Sequence, residues 1–193
     1  MRTFTFTFGW LLAGTFFVSE SLADWPQFRG PSGNGYLGEL NHPTQWSMEE
    51  NLAWSQSIPG GGWASPIIVG NRIFITTAVD SKNTKPLGHA GGVRNMRGKK
   101  PTEPFDFKLI CLNLVDGSTE WEKNIVQEQP KYAIHPSNTY STESPVTDGK
   151  HVFCYFATIG KIAAVSLKGK LAWTVNIGAF PSGNGFGTGS SLA

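Results

Sequence analysis

The sequence predicts an all-β chain of repeated four-stranded antiparallel units, and three observations carry that expectation. The first is a strand-and-turn pattern that recurs. Trp63-Ala64-Ser65-Pro66-Ile67-Ile68-Val69-Gly70-Asn71-Arg72-Ile73-Phe74-Ile75 is echoed by Thr142-Glu143-Ser144-Pro145-Val146-Thr147-Asp148-Gly149-Lys150-His151-Val152-Phe153-Cys154. Gly187-Thr188-Gly189-Ser190-Ser191-Leu192 begins a third copy. The second is a Trp and an Ile four residues apart in three places: Trp54 and Ile58, Trp121 and Ile125, Trp173 and Ile177. In a strand that spacing puts both side chains on one face. The third is composition. The chain has 23 Gly, 12 Pro and 12% aromatic residues, which suits short strands joined by tight turns better than helices.

The elements follow in chain order. Arg2 and an uncharged apolar run from Phe6 to Val18 lead to Ser21-Leu22-Ala23. Positive charge, a short apolar stretch and small residues are the marks of an export signal over 1–23, cleaved between Ala23 and Asp24. The run is too short for a comfortable membrane span. The expected location is periplasmic or secreted, with no integral membrane segment after cleavage. Residues 24–50 form a polar N-terminal lead-in segment rich in Gly and Pro. Trp25 and Phe28 would anchor it across a surface.

Residues 51–193 carry the repeats. A blade-closing strand is expected at 52–58. A first unit spans 63–125, with an insertion at 79–106, and a second spans 142–177. A third begins at 186–193. In each full unit a Ser-Pro strand turns through Gly70-Asn71 or Asp148-Gly149 into a second strand. A third strand then turns at Gly117 or Gly169 into a fourth that bears Trp121 or Trp173. Four antiparallel strands with a Trp at a fixed place is the pattern of a β-propeller blade. The Gly turns fit, because tight hairpins need positive φ. The Trp54 strand has no first three strands before it, so its partners are expected from the other end of a longer, ring-closed chain. On this reading the fold is an incomplete propeller, cut inside a repeat. Trp54, Trp121 and Trp173 are expected to be structural docking residues rather than ligand contacts.

The insertion holds Lys82, Lys85, Arg94, Arg97, Lys99 and Lys100, with His89, Gly91 and Gly92. It reads as a solvated surface loop, or as a binding loop over one propeller mouth that recruits an anionic partner. The segment Tyr132–Tyr140 reads as an ordinary connection or a second lining of such a mouth.

The formal net charge of +2 gives no support to a dedicated nucleic-acid surface. Cys111 and Cys154 form neither CxxC nor CxxCH. They read as small buried apolar residues, with a disulfide as the alternative. His42, His89, His135 and His151 lack metal-ligand spacing. Asp106, Asp116, Glu120, Glu122 and Asp148 fall at expected turns or strand edges and offer no Ca²⁺ ligand spacing. Gly183-Asn184-Gly185-Phe186-Gly187 precedes a strand rather than a helix, which argues against a dinucleotide site. No nucleophile elbow is present.

With the repeats in hand, the chain resembles the PQQ-like β-propeller repeat proteins. Leu112-Asn113-Leu114-Val115-Asp116-Gly117-Ser118-Thr119-Glu120-Trp121 looks like their blade-closing motif. It has Asn113 where Asp is usual and Gly117-Ser118 in place of Thr-Gly. Trp25-Pro26-Gln27-Phe28-Arg29-Gly30-Pro31, Gly62-Trp63-Ala64-Ser65-Pro66 and His135-Pro136-Ser137-Asn138 look like exported BamB-like propellers common in planctomycete bacteria. This subgroup resembles quinoprotein alcohol dehydrogenases in fold, and the fold does not carry the activity. The resemblance implies a non-catalytic, exported scaffold for protein partners, in outer-membrane or cell-envelope assembly. Catalytic, cofactor-binding and metal residues are then none, and no cofactor is expected. One alternative is an N-terminal piece of a PQQ-dependent alcohol dehydrogenase, with PQQ and calcium. Another is a truncated gene product without function.

Export with cleavage predicts a mature N-terminus at Asp24. N-terminal sequencing of the exported protein reads this directly, and a sequence starting at Met1 contradicts it.

Overall fold

The computed structural model describes residues 24–36, 38, 43–85, 98–182 and 185–193. The export segment 1–23 and the part of the insertion with His89, Arg94 and Arg97 lie outside the described residues.

Two four-stranded antiparallel sheets make up the described chain, and no helix is present among its residues. The first sheet is β1 (Ile67–Val69), β2 (Arg72–Val79), β3 (Phe105–Asn113) and β4 (Thr119–Glu128). The second is β5 (Val146–Thr147), β6 (His151–Phe156), β7 (Lys161–Ser166) and β8 (Leu171–Asn176). In both, spatial order equals chain order. β-branched and aromatic residues dominate β2 and β6, which suits a pleated surface buried on both faces.

The turns are chemically specified. Gly70 has φ 56° and joins β1 to β2, with Val69 opposite Arg72. Gly149 has φ 81°, and Asp148 Oδ1 accepts from the amides of Lys150 and His151 at 2.8 and 2.6 Å. Those bonds hold the Asp148 carboxyl below its ordinary pKa. At the β3–β4 and β7–β8 hairpins the register slips by one residue, between Cys111 and Leu112 and between Ala164 and Val165. Pairing puts the extra residue at Glu120 and at Ala172, one before each Trp. A bulge there re-aims the side chain that follows.

The two sheets pack face to face. Phe74, Phe107, Leu109 and Cys111 of the first meet Val152, Cys154, Phe156 and Val165 of the second in one buried cluster. Phe107 and Phe156 touch edge to face at 5.1 Å. A smaller cluster, Ile73, Ile110 and Leu112, covers the other face of the first sheet and is roofed by Trp54 and Ile58.

Three expectations change. Residues 52–58 form no strand ladder, since among the described residues no strand pairs with them; side-chain packing of Trp54 and Ile58 holds them instead. Residues 186–193 likewise form no strand, lacking a partner hairpin. The insertion is narrower than 79–106: β2 runs to Val79 and β3 starts at Phe105. The same connection in the second sheet is the four-residue turn 157–160. Both cysteines are free and buried.

Trp121 is half-buried between the sheets, so Trp121→Ala is expected to cost about 3 kcal/mol, the low end for buried aromatics. Denaturant unfolding measures it, and a loss below about 1 kcal/mol contradicts a packing role.

Candidate functional site

The predicted docking residues share one geometry. The Trp121 indole N–H donates to Leu167 O at 3.3 Å, and its ring lies on Gly169. A Cβ on Gly169 would stand 2.9 Å from the ring, and φ there is 81°, so glycine is required twice over. The Trp54 indole N–H donates to Leu114 O at 3.0 Å and its ring lies on Gly117, where a Cβ would overlap it. Each contact joins a Trp to the β-hairpin turn of the next sheet. Within its own sheet Trp121 lies 5.8 Å from Phe74, and Trp173 lies 6.0 Å from Phe153 at the matching position. Trp173 is 46% exposed and meets no following turn among the described residues.

A second contact repeats at the opposite edge of the sheets. Ser65 N–H donates to Ser144 Oγ at 2.9 Å, and Ser144 N–H donates to Ser191 Oγ at 2.9 Å. Ser65 and Ser144 are the equivalent residues of the two Ser-Pro copies, and Ser191, before Leu192, holds the same place in the third. The start of the third copy is therefore in place although it forms no strand.

A concavity of about 650 Å³ lies where residues 80–85 and 98–103 meet the 134–140 connection. Ala78, Phe105, Ile134 and Tyr140 supply apolar lining, and Lys82, Lys99 and Lys100 supply charge. Phe105 and Tyr140 pack at 5.0 Å. Burial pushes the Tyr140 phenol up to about 12, and its hydroxyl donates to Tyr132 O at 3.2 Å. The acidic residues of the cleft are engaged locally. Asp80 accepts from Thr84 Oγ1 at 2.6 Å, and Glu103 accepts from Ser81 Oγ at 2.6 Å. Lys85 donates to Ile58 O and Gly60 O. His135 Nδ1 is held by Ser137 Oγ at 2.7 Å, its ring stacks on Phe186 at 5.1 Å, and its Nε2 is buried without a partner among the described residues. The two loops read separately in the sequence thus border one cleft.

Three further acidic residues, expected at turns or strand edges, lie within β3 and β4. Glu120 pairs with Arg72 at 2.6 Å, Glu122 pairs with Lys108, and Asp106 accepts from Asn124 and Gln127. Cys111 and Cys154 stand on different sheets, and burial pushes the Cys111 thiol up to about 12 and raises that of Cys154 further. Neither thiol is a ready nucleophile.

Glu143 was not legible as special. It is 1% exposed, and both carboxylate oxygens lack a hydrogen-bond partner among the described residues. Burial raises its pKa, although the Thr188 hydroxyl and nearby backbone amides face it and oppose the rise. The equivalent residues are Ala64 and Ser190, so the repeat alignment marks an acid at an apolar or small position. That was the one available signal.

No protein-family model and no curated protein matches the chain. Among solved structures 35 chains match. One is BamB from Moraxella catarrhalis, 16% identical, with a TM-score of 0.21. The match covers 64% of this chain, which spans 39% of the length of that one. No helix among the described residues is long and apolar enough to cross a membrane.

A raised folded pKa means the folded state holds the Glu143 proton to higher pH than the unfolded chain. Its contribution is complete below the ordinary value of 4.5 and is lost as pH rises through the folded value. Glu143→Gln carries no charge to bury and is therefore expected to be more stable than the parent at pH 7, by about 1–3 kcal/mol. The difference should shrink toward pH 4. Denaturant unfolding across pH tests this, and a pH-independent difference contradicts it.

Proposed function

We propose that the chain belongs to an exported, non-catalytic β-propeller of PQQ-like repeats that serves as a protein-interaction scaffold in the cell envelope. The observation that carries this reading is the repeated docking step. Trp54 meets the first sheet as Trp121 meets the second, through the same indole bond and the same glycine seat. Four-stranded sheets that follow one another by one repeated contact are how propeller blades are arranged. On this reading Trp54 belongs to the outer strand of a preceding blade. The exposed Trp173, Val175 and Ile177 await a following one. The lysine-rimmed cleft is the surface offered to partners, since loops on a rigid scaffold carry recognition.

A quinone-dependent dehydrogenase is the second reading, and the donor set does not fit it. The adjacent cysteines of that class have no counterpart, because Cys111 and Cys154 lie on different sheets. Among the described residues no three of His, Cys, Asp and Glu gather where a metal ion would sit. The acidic groups near the surface already serve turns and ion pairs.

Site-specific photocrosslinking in the exporting cell separates the readings. A crosslinker at Lys99 is expected to give discrete protein adducts that one at Lys168 does not. Equal or absent adducts at both positions contradict a partner at the cleft. PQQ with Ca²⁺ is expected to give neither bound-cofactor absorbance nor alcohol-dependent dye reduction, and saturable dye reduction contradicts the scaffold reading.

A further inference from the structure

β1 and β5 are the first strands of their sheets, so one edge of each has no strand of its own sheet beside it. One short segment serves both edges. Trp25 N–H donates to Ile68 O at 2.9 Å, and Ile68 N–H donates to Trp25 O at 3.0 Å. The next carbonyl, Pro26 O, accepts from Thr147 N–H at 3.0 Å. Ile68 and Thr147 each precede their hairpin glycine by two residues, so they are equivalent positions in the two repeats. Consecutive carbonyls of one segment thus satisfy equivalent amides of two sheets. Asp24 Oδ1 adds a bond from Gly70 N–H at 2.7 Å.

Local chemistry shapes the segment for this. A residue before proline is driven to extended backbone, which lets Trp25 present both its N–H and its C=O to Ile68. Pro26 has no N–H, so no donor is left unpaired at the step from one sheet to the other. Gly30, at φ 76°, folds the chain back under the Trp25 ring; a Cβ there would stand 2.7 Å from it. Gly30 N–H closes the turn onto Gln27 O at 3.0 Å.

We propose that the free edges of β1 and β5 together form a groove for an extended Trp-Pro peptide, and that Asp24–Gly30 fills it in cis as a clasp between the sheets. Backbone pairing of this kind is how extended peptides add to sheet edges. The groove is occupied before any outside strand arrives, so a second strand reaches these edges by displacing the clasp. The clasp opens as a unit while both sheets stay folded. None of this depends on the ring closing.

Residue-resolved amide exchange on the full chain tests it. In Trp25→Ala, exchange at Ile68 and Thr147 is expected to rise together, by about tenfold or more, while mid-strand amides of β3 and β7 stay unchanged. A synthetic peptide of residues 24–35, added to that variant, is expected to bind saturably and restore both protections. A Trp25→Ala version of the peptide is expected to do neither. A rise at Ile68 alone, or at neither amide, overturns the shared groove. An equal rise in β3 and β7 shows the segment to be an inseparable part of the fold and overturns the clasp. A peptide that restores no protection overturns the groove's specificity.

Discussion

The offset between neighbouring parts of the described structure depends on a tryptophan ring seated on a glycine turn of the next sheet. A four-stranded sheet with apolar residues on both faces cannot stand alone, and it needs a neighbour at a fixed angle and offset. Broad apolar packing supplies the attraction and specifies the offset poorly, whereas the indole seat specifies it. The ring needs a residue without a side chain beneath it, in a turn with positive φ, and a carbonyl within reach of its N–H. All three conditions are met at Gly169 with Leu167, and again at Gly117 with Leu114. A bulge before Trp121 and before Trp173 keeps the ring aimed the same way in each sheet.

The opposite edge is governed by backbone satisfaction. The short first strands β1 and β5 leave amides without ladder partners, and buried amides must be paired. The chain meets this with serine hydroxyls handed from one repeat to the next and with the carbonyls of the lead-in segment. Tryptophan docking at one edge and these hydrogen bonds at the other therefore hold the two sheets together. Glu143 sits beside these bonds with no partner for its carboxylate among the described residues, and Ser141 Oγ and His135 Nε2 nearby in sequence are buried without one as well. Its cost is a property of one repeat, since Ala64 holds the same place in the first.

Much of this was legible in the sequence, for physical reasons that also mark where legibility stopped. Trp121 and Trp173 stand out because strand period and glycine turns are local, and each turn's glycine precedes its Trp by four residues. The strands of both sheets follow from the same local pattern. Residues 52–58 carry the pattern but form no ladder, because a ladder needs a partner that local sequence does not supply. Both walls of the cleft were open readings in the sequence, while their meeting was not legible, because residues 80–85 and 98–103 are distant along the chain from 134–140. Trp25 was visible as an anchor, while its pairing with Ile68 and the reach of Pro26 to Thr147 are non-local backbone geometry.

The central claim is that the glycine under each ring is required by the ring, beyond its own backbone conformation. Gly149 and Gly169 separate the two effects, since both have φ 81°, and a Cβ at Gly149 would meet nothing within 4 Å. The most direct measurement is the unfolding free energy of Gly149→Ala, Gly169→Ala, Trp121→Ala and the double variant of Gly169 and Trp121. Gly149→Ala should cost about 1–2 kcal/mol from backbone strain alone. Gly169→Ala should cost clearly more in the parent, and should fall to the Gly149→Ala value once Trp121 is alanine. Equal costs for both glycines, unchanged by removal of the ring, would contradict the account.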